Sequence, residues 1–336
     1  MRAYLLSKGI KSPRDLKLAE RPDPVPGPKD ILVRMRAASL NYRDQMIARD
    51  TYMGQTMGAD TVPLSDGAGE VIAVGARVTR FKVGDRVIGT FNRGWHGGAH
   101  GDGGYQQLGQ TGVDGVLAEL VVFDEGDAVA VPDRLSYEEA ACLPCAALTA
   151  WSALVVAGGM TVGQSVLTLG TGGVSIFALQ FAKAAGCQII ATSSSDAKLE
   201  QVRALGADEV INYRTTPDWD IAVRAATGGR GVDHVVEVGG AGTLERSCRA
   251  LANDGCIAQI GYLAQAERPP LINLPRWGRM AKVNVGSREG FEAMNRAIVR
   301  NGIRPVIDRV FAFDQAIAAY DYAFSGQHFG KVVISI

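Results

Sequence analysis

The sequence predicts an α/β fold in which a β-rich segment precedes a doubly wound parallel sheet. Short strand-like runs separated by turns fill the first third of the chain, and strand and helix patterns alternate from about residue 137 onward. Such regular alternation is typical of a parallel sheet with right-handed crossovers. The 336 residues are also enough for two domains.

The β-rich segment contains four strand-like runs, at residues 5–9, 31–38, 67–74 and 86–89. Residues 22–28 contain too many prolines for a helix or a central strand. Together these features predict an antiparallel β barrel or sandwich.

A glycine-rich stretch follows at residues 92–115 and includes Trp95, His96, His100 and Tyr105. Long loops in compact domains are often functional. We therefore expect a long surface loop that helps to determine which substrate is bound.

The alternating region begins with a helical pattern at residues 137–157, which is interrupted by Pro144. Strands are predicted at residues 165–169, 188–192, 210–212, 232–238 and 255–260, and helices at residues 175–185, 198–205, 221–227 and 242–251. Residues 282–286 are a candidate sixth strand, and the chain is expected to end in helices at 290–301 and 313–324 and a strand at 331–336.

Composition and charge narrow the functional class. The chain is 47% apolar and 21% charged, with a formal net charge of zero, so charge gives no reason to expect nucleic acid or an anionic membrane as a partner. No apolar run is long enough to span a membrane, and the N-terminus does not resemble a signal peptide. Five scattered cysteines form a poor disulfide framework. We expect a cytoplasmic protein that acts on a small molecule.

A glycine turn joins the strand at 165–169 to the next helix, with the sequence Gly170-Thr171-Gly172-Gly173-Val174-Ser175. Gly170 permits the tight turn, and Gly172 lets the backbone approach a pyrophosphate at the helix N-terminus. Ser175 replaces the third glycine of the usual signature. The turn predicts a dinucleotide site; the alternative is a loop that serves only strand–helix packing.

The next strand bears on the choice of dinucleotide. NAD sites place an acidic residue near its end, but here the sequence runs Thr192-Ser193-Ser194-Ser195, with Asp196 and Lys198 beyond it. Hydroxyl groups and a nearby cation favour a 2′-phosphate, and Tyr213 is placed to flank it. We predict NADP(H) in preference to NAD(H); the alternative is that Lys198 is solvated and Asp196 caps the helix.

Several motifs in order resemble the medium-chain dehydrogenase/reductase superfamily over nearly the whole chain. They are Gly84-Asp85-Arg86-Val87, Ala146-Ala147-Leu148-Thr149-Ala150-Trp151, the glycine turn, Leu205-Gly206-Ala207-Asp208 and Phe329-Gly330-Lys331-Val332-Val333. The resemblance implies a GroES-like catalytic domain at residues 1–128 and 288–336 and a Rossmann domain at 129–287. It also implies an active site in the cleft between them.

Many members of that superfamily bind zinc, but the ligand pattern is incomplete in this sequence. Asn41 lies where the first cysteine ligand is expected, and Ser65 and Asp66 lie where His and Glu are expected. Cys145 alone matches, whereas a zinc site needs three or four ligands. No cysteine occurs at residues 92–114, and His96 and His100 lie in a glycine loop. The sequence predicts a metal-free protein.

Asn41, Ser65 to Gly69 and the Asn212-Tyr213 pair resemble the zinc-free quinone oxidoreductase branch and related enone reductases. The resemblance implies that Thr149 lies near the nicotinamide, that Ser194, Lys198 and Tyr213 lie near the 2′-phosphate, and that Lys331 lies near the pyrophosphate. It adds Asn41, Gly173, Val174, Val238, Gly261, Tyr262, Gly286 and Ser287 to the expected cofactor contacts. The alternatives are that Thr149 is only a helix residue, Tyr213 a core aromatic and Lys331 a surface charge.

Without a metal, hydrogen-bond donors must stabilise the oxyanion that develops during hydride transfer. Asn41 has an amide N–H, and Tyr42 and Tyr52 have hydroxyl groups, whereas Asp44 and Asp66 are expected to be structural. The leading hypothesis is NADPH-dependent reduction of an enone or a quinone. The alternatives are an alcohol or aldehyde dehydrogenase that has lost its zinc and a non-catalytic NADPH-binding sensor. The resemblance also suggests a homodimer, through the strand expected at 282–286.

Overall fold

The computed structural model describes residues 1–52, 58–99, 106–264 and 268–336, which form two compact units. Unit 1 comprises Met1–Leu148 and Gly286–Ile336, and unit 2 comprises Thr149–Val285. The domain limits at residues 128 and 287 stay a prediction. No helix in the described part of the chain is long and apolar enough to cross a membrane.

The strands are numbered in chain order. Those of unit 1 are β1 (Arg2–Leu5), β2 (Lys17–Glu20), β3 (Asp30–Ser39), β4 (Asp66–Val74), β5 (Arg86–Gly89), β6 (Asn92–Arg93), β7 (Gln106–Gln107), β8 (Leu120–Asp124), β9 (Ala128–Ala130), β16 (Ile307–Ala312) and β17 (Lys331–Ser335). Those of unit 2 are β10 (Ser165–Leu169), β11 (Gln188–Ser193), β12 (Glu209–Asn212), β13 (Val232–Glu237), β14 (Leu251–Gln259) and β15 (Arg279–Lys282).

The α-helices are α1 (Tyr42–Ile47), α2 (Tyr137–Ala141), α3 (Leu148–Trp151), α4 (Gly173–Ala184), α5 (Asp196–Ala204), α6 (Trp219–Ala226), α7 (Leu244–Ala250), α8 (Arg288–Asn301) and α9 (Ala316–Phe324). Two π-helical segments, Leu143–Ala147 and Ser152–Ala157, flank α3. Pro144, expected to interrupt the helical pattern, lies in the first of them, and Pro has no N–H for the backbone ladder.

The sheet of unit 1 has the order β16-β17-β3-β4-β5-β9, and β8 also pairs with β3. Alternate residues of β3, including Ile31, Val33 and Met35, are buried, because successive side chains of a strand point to opposite faces. They pack in a core with Tyr320 of α9. The structure confirms the predicted β-rich architecture.

Register in this sheet brings three strand ends together. Ser39, the last residue of β3, is paired with Asp66 at the start of β4 and with Val333 in β17. Both neighbours are antiparallel to β3. The residues that follow β3 therefore lie beside the first residues of β4 and β17.

The sheet of unit 2 is parallel throughout, with the order β12-β11-β10-β13-β14-β15. Renumbered within the unit, this order is 3-2-1-4-5-6, which is the doubly wound Rossmann arrangement. Every residue of β10 is buried, as expected for a central strand covered on both faces. The predicted α/β class is confirmed.

Three predictions about local structure are wrong. The first strand is Arg2–Leu5, and the residues after Leu5 turn away. Residues 92–115 are not simply a surface loop, because β6 and β7 pair within them and Leu108 and Val113 are buried; His100 and Tyr105 lie outside the described residues. The sixth strand of the parallel sheet is Arg279–Lys282 and ends before residue 283.

Candidate active site

The glycine turn of unit 2 lies between β10 and α4. Gly170 has a left-handed φ of 73° and donates its N–H to Thr192 O at 2.8 Å. Gly172 is the N-cap of α4, and no side chain in the described part of the chain caps this helix. A Cβ at Gly172 would meet none of the described atoms within 4 Å. The first N–H groups of a helix have no acceptor within the helix, so backbone donors face open space here, as a bound phosphate requires.

Ser175 explains why the third glycine of the signature is dispensable here. Its side chain is buried, and Oγ donates to Leu169 O at 2.7 Å. The hydroxyl ties the first turn of α4 to the end of β10. A small side chain with its own acceptor therefore fits where glycine usually permits close packing.

The ends of β11 and β12 adjoin one another, since Ser193 is paired with Asn212. Tyr213 follows β12, is 42% exposed and donates its N–H to Ser193 O at 3.1 Å. The alternative that Tyr213 is a core aromatic is therefore wrong.

Small hydroxyl residues end β11 and lead into α5. Ser195 is the N-cap of α5, accepting from Lys198 N at 3.4 Å. The Asp196 carboxylate opens the helix and accepts from Asn212 Nδ2 at 2.6 Å. Ser194 and Lys198 are half-buried. Ser194 and Tyr213 thus directly follow two adjacent strands, and Lys198 lies in the first turn of α5.

A buried carboxylate, which the sequence analysis missed, anchors the loop after β13. Glu237 is fully buried, and its Oε1 accepts from Gly239 N at 2.7 Å, Gly240 N at 2.9 Å and Thr243 Oγ1 at 2.6 Å. Its Oε2 accepts from the Ser247 hydroxyl. An acidic residue directly after the apolar pair Val235 and Val236, at the end of β13, was the available signal.

The loop that begins at Val238 packs on the loop after β14. Leu263 donates its N–H to Val238 O at 3.3 Å, and Ala264 donates to Gly239 O at 2.7 Å. A Cβ at Gly261 would lie 2.4 Å from Val238 O, so only glycine permits this approach. Val238 and Gly261, predicted separately, are thereby brought together, while the Tyr262 side chain is largely exposed.

Asn41 and Lys331, both in unit 1, are in direct contact. Lys331 Nζ donates to Asn41 Oδ1 at 2.6 Å and to Leu40 O at 2.7 Å. The Lys331 side chain is buried, so the alternative of a surface charge is wrong. Asn41 Nδ2 is buried and has no hydrogen-bond partner among the residues that the structure describes. The chain therefore supplies an unused donor directly beside a fixed cation.

Asp66 adds a carboxylate to this cluster. It is fully buried, and Oδ2 lies 4.0 Å from Lys331 Nζ and accepts from Cys145 N at 3.0 Å. Oδ1 accepts from Ser65 Oγ at 2.7 Å. Burial, and secondarily the Asp66 charge, raises the pKa of the Cys145 thiol. We name Asn41, Asp66 and Lys331 the polar cluster.

Asp44 lies in α1, one turn beyond Asn41. Its Oδ2 accepts from Asn41 N at 2.8 Å, and its Oδ1 lies 3.4 Å from Arg43 Nη1. Burial raises the pKa of Asp44 to about 6, against the lowering effect of Arg43. This carboxyl group therefore changes charge in the range where many enzymes are assayed.

The two candidate tyrosines differ in their surroundings. Tyr52 OH donates to Gln107 Oε1 at 3.2 Å, and the Arg43 guanidinium lies 5.2 Å from its ring centroid. Arg43 is itself anchored on Leu108 O at 2.8 Å. Tyr42, the first residue of α1, is 49% exposed.

The remaining predicted residues lie at helix positions or beside them. Thr149 is buried in α3, and its place near the nicotinamide stays a prediction. Ser287 is the N-cap of α8, accepting from Gly290 N at 3.1 Å, and Gly286 precedes it.

These features define a class: an oxidoreductase with a dinucleotide-binding Rossmann unit and a β-rich unit that supplies polar groups. Two family profiles match the chain, "Alcohol dehydrogenase GroES-like domain" at residues 27–133 and "Zinc-binding dehydrogenase" at residues 173–300. The chain belongs to the medium-chain dehydrogenase/reductase superfamily.

Individual relatives carry two kinds of name. A zinc-type alcohol dehydrogenase-like protein of Schizosaccharomyces pombe is 43% identical, over 92% of this chain and 91% of that protein. A quinone oxidoreductase of Pseudomonas aeruginosa is 34% identical, over 96% and 94%. The solved structure of a putative alcohol dehydrogenase from Sinorhizobium meliloti is 44% identical, covers both chains completely and has a TM-score of 0.89.

Proposed function

We propose that this oxidoreductase transfers hydride from NADPH to an enone or a quinone without a metal ion. The observation that carries the proposal is the Asn41 Nδ2 group, which lies beside the buried Lys331 ammonium and has no partner within the described part of the chain. An uncharged donor backed by a cation suits an oxygen that gains negative charge during the reaction.

The polar cluster supports a metal-free reaction. The Asn41 oxygen is occupied by Lys331, and Asp66 already accepts from Ser65 and Cys145. The Lys331 ammonium lies 4.0 Å from the Asp66 carboxylate. A zinc ion bound to that carboxylate would therefore be repelled by the ammonium. Cys145 is the one residue that matches a zinc-ligand position of the family pattern, whereas zinc requires three or four ligands. The residues present do not fit zinc.

The preference for NADPH is supported by the ends of β11 and β12. Ser193 and Ser194 stand where NAD sites usually have a carboxylate. Asp196 is directed to Asn212, and Lys198 and Tyr213 adjoin this position. We propose that Ser194, Lys198 and Tyr213 contact the 2′-phosphate, and that the pyrophosphate binds at Gly172, Gly173 and Val174.

When bound, the dinucleotide supplies a hydride ion. In an enone, hydride adds to the β-carbon, and the displaced electron pair moves through the conjugated system to the carbonyl oxygen. We propose that Asn41 Nδ2 donates a hydrogen bond to that oxygen, which lowers the energy of the enolate. A proton from Tyr42, Tyr52 or water then completes the reduction. Of the two tyrosines, Tyr52 already donates its hydroxyl hydrogen to Gln107 Oε1.

The second candidate is an alcohol or aldehyde dehydrogenase. It is favoured by the names of the S. pombe and S. meliloti relatives, whereas the P. aeruginosa relative favours quinone reduction. A simple aldehyde concentrates the developing charge on the oxygen next to the attacked carbon. It therefore depends more strongly on a Lewis acid than a conjugated acceptor does.

The test is a steady-state screen of purified enzyme with NADPH and with NADH against cyclohexenone, a benzoquinone, benzaldehyde and an aliphatic aldehyde. We expect turnover of the first two acceptors, a higher kcat/KM with NADPH and no effect of a chelator. Elemental analysis should find far less than one zinc per chain. Turnover restricted to simple aldehydes and abolished by chelation would refute the proposal in favour of the second candidate.

We also propose a homodimer. β15 is an edge strand of the parallel sheet, and the segment before it exposes the large apolar side chains of Leu271 and Trp277. Unpaired edges and exposed apolar residues favour association. Analytical ultracentrifugation should give the mass of two chains; a monomer at micromolar concentration would contradict this proposal.

A further inference from the structure

Asn41 departs from the usual behaviour of a helix-capping residue. It is the N-cap of α1, where asparagine normally accepts from the backbone N–H groups of the first turn. Here its Oδ1 accepts from Lys331 Nζ instead, at 2.6 Å. Its backbone N–H is held by Asp44 Oδ2 at 2.8 Å. Main chain and side chain of Asn41 are therefore both fixed, while Nδ2 has no partner in the described ranges 1–52, 58–99, 106–264 and 268–336.

Lys331 determines which way the Asn41 amide is turned. An ammonium group has three donors and no acceptor, so it can bond only to the carboxamide oxygen. Turning the amide by 180° would place its NH2 group against the ammonium, losing a charge-assisted hydrogen bond and adding repulsion. A buried donor left unpaired is costly, which favours a ligand atom that accepts from Nδ2.

We propose that Lys331 is a positioning residue that fixes the Asn41 amide so that Nδ2 faces the oxygen of the hydride acceptor. This inference deepens the proposed function and rests on it. Lys331 acts through Asn41 and does not itself contact the acceptor. The cation also polarises the amide, which makes Nδ2 a stronger donor.

The cation is held firmly enough to do this. Lys331 Nζ has a second short bond to Leu40 O at 2.7 Å, and the Asp66 carboxylate lies 4.0 Å away. Asp66 is in turn held by the Cys145 N–H and the Ser65 hydroxyl. A buried charge is tolerated when it is paired and hydrogen-bonded. The Lys331 ammonium and the Asp66 carboxylate each meet both conditions.

Four single variants separate the donor from its positioning. Asn41→Asp keeps an acceptor for Lys331 but removes the donor, and Asn41→Ala removes both. Lys331→Met removes the ammonium with little change in shape, and Lys331→Arg retains a positive charge. Lys17→Met, at an exposed lysine of β2, is the matched control. For each, kcat and KM are measured with NADPH and the acceptor that the wild type reduces best.

We expect Asn41→Asp to remain folded while kcat falls about 100-fold and KM changes little. Lys331→Met should also lower kcat chiefly, Lys331→Arg should recover part of the loss, and Lys17→Met should match the wild type. The decisive measurement is the double variant Asn41→Ala with Lys331→Met. Its kcat should be no lower than that of Asn41→Ala alone, because Lys331 acts only through the amide. Losses that multiply, or a Lys331→Met enzyme with wild-type kcat, would overturn the proposal.

The wild type, Asn41→Ala, Lys331→Met and the double variant also form a cycle that can be measured by urea unfolding. It tests the contact between Asn41 and Lys331 without any enzyme turnover. We expect the two residues to be coupled by about tenfold or more in the unfolding equilibrium constant; independent effects would overturn the proposal. If the wild type reduces aldehydes but no enone or quinone, the proposed function fails, and the kinetic cycle run with the aldehyde still decides the role of Lys331.

Discussion

The buried Asp44 carboxyl makes the stability of this enzyme depend on pH near neutrality. Burial is the largest influence on its pKa, which rises from 3.8 to about 6; Asp66 also raises it, while Arg43, the Asn41 N–H and Lys331 lower it. Because the folded-state pKa is the higher one, folding favours the protonated form. The associated stability is present below pH 4 and is lost as pH rises through about 6.

The magnitude follows from the size of the shift. A rise of about two pKa units corresponds to about 3 kcal/mol between the two protonation states. Asp44→Asn removes the titration and retains an oxygen that can accept from Asn41 N–H. We expect the free energy of unfolding of Asp44→Asn, minus that of the wild type, to increase by about 3 kcal/mol between pH 4 and pH 7.5.

The assay is urea unfolding followed by tryptophan fluorescence in a series of buffers at constant ionic strength. Asp133→Asn, at an exposed position, is the matched control for the loss of a carboxylate. A difference for Asp44→Asn that is independent of pH would refute the reasoning, because it would mean that Asp44 titrates alike in the folded and unfolded chain.

Three further predictions concern unit 2. Burial lowers the pKa of His234, so its contribution to stability is present above its ordinary pKa and is lost as pH falls. The free energy of unfolding of His234→Gln, measured between pH 5 and pH 8, should lack this part of the pH dependence. Glu237→Ala leaves three donors of the loop after β13 without their acceptor and should destabilise the protein by about 3 kcal/mol, measured by urea unfolding. Gly172→Val fills open space beside the α4 N-terminus and should weaken NADPH binding at least about tenfold with unchanged thermal stability, measured by calorimetry and thermal unfolding.

Each of these predictions has an outcome that contradicts it. Equal pH dependence of His234→Gln and the wild type would mean that burial does not perturb this histidine. Wild-type stability of Glu237→Ala would show that the loop after β13 does not depend on the Glu237 carboxylate. Normal NADPH affinity of Gly172→Val would exclude the pyrophosphate from this turn. Gly170→Val is the contrasting variant, since its φ of 73° should make it unstable as well.

The sequence by itself determined the doubly wound sheet and the glycine turn. The central strand Ser165–Leu169 is buried along its whole length because both of its faces are covered, and strand and helix patterns alternate on either side of it. The turn at Gly170 and the start of the helix at Gly173 likewise depend on only a few adjacent residues. Such signals survive in the sequence because the backbone conformation depends mainly on near neighbours.

Only the tertiary structure decided the polar cluster. Lys331 and Asn41 are 290 positions apart, and their contact arises because β17 and β4 both begin beside the end of β3. From the sequence, Lys331 was expected near the pyrophosphate or, alternatively, as a surface charge, and Asp66 was expected to be structural; each expectation considers one residue alone. Burial of both charges depends on pairing between distant strands, which no local pattern encodes. That pairing leaves the NH2 group of Asn41 without an acceptor among the described residues.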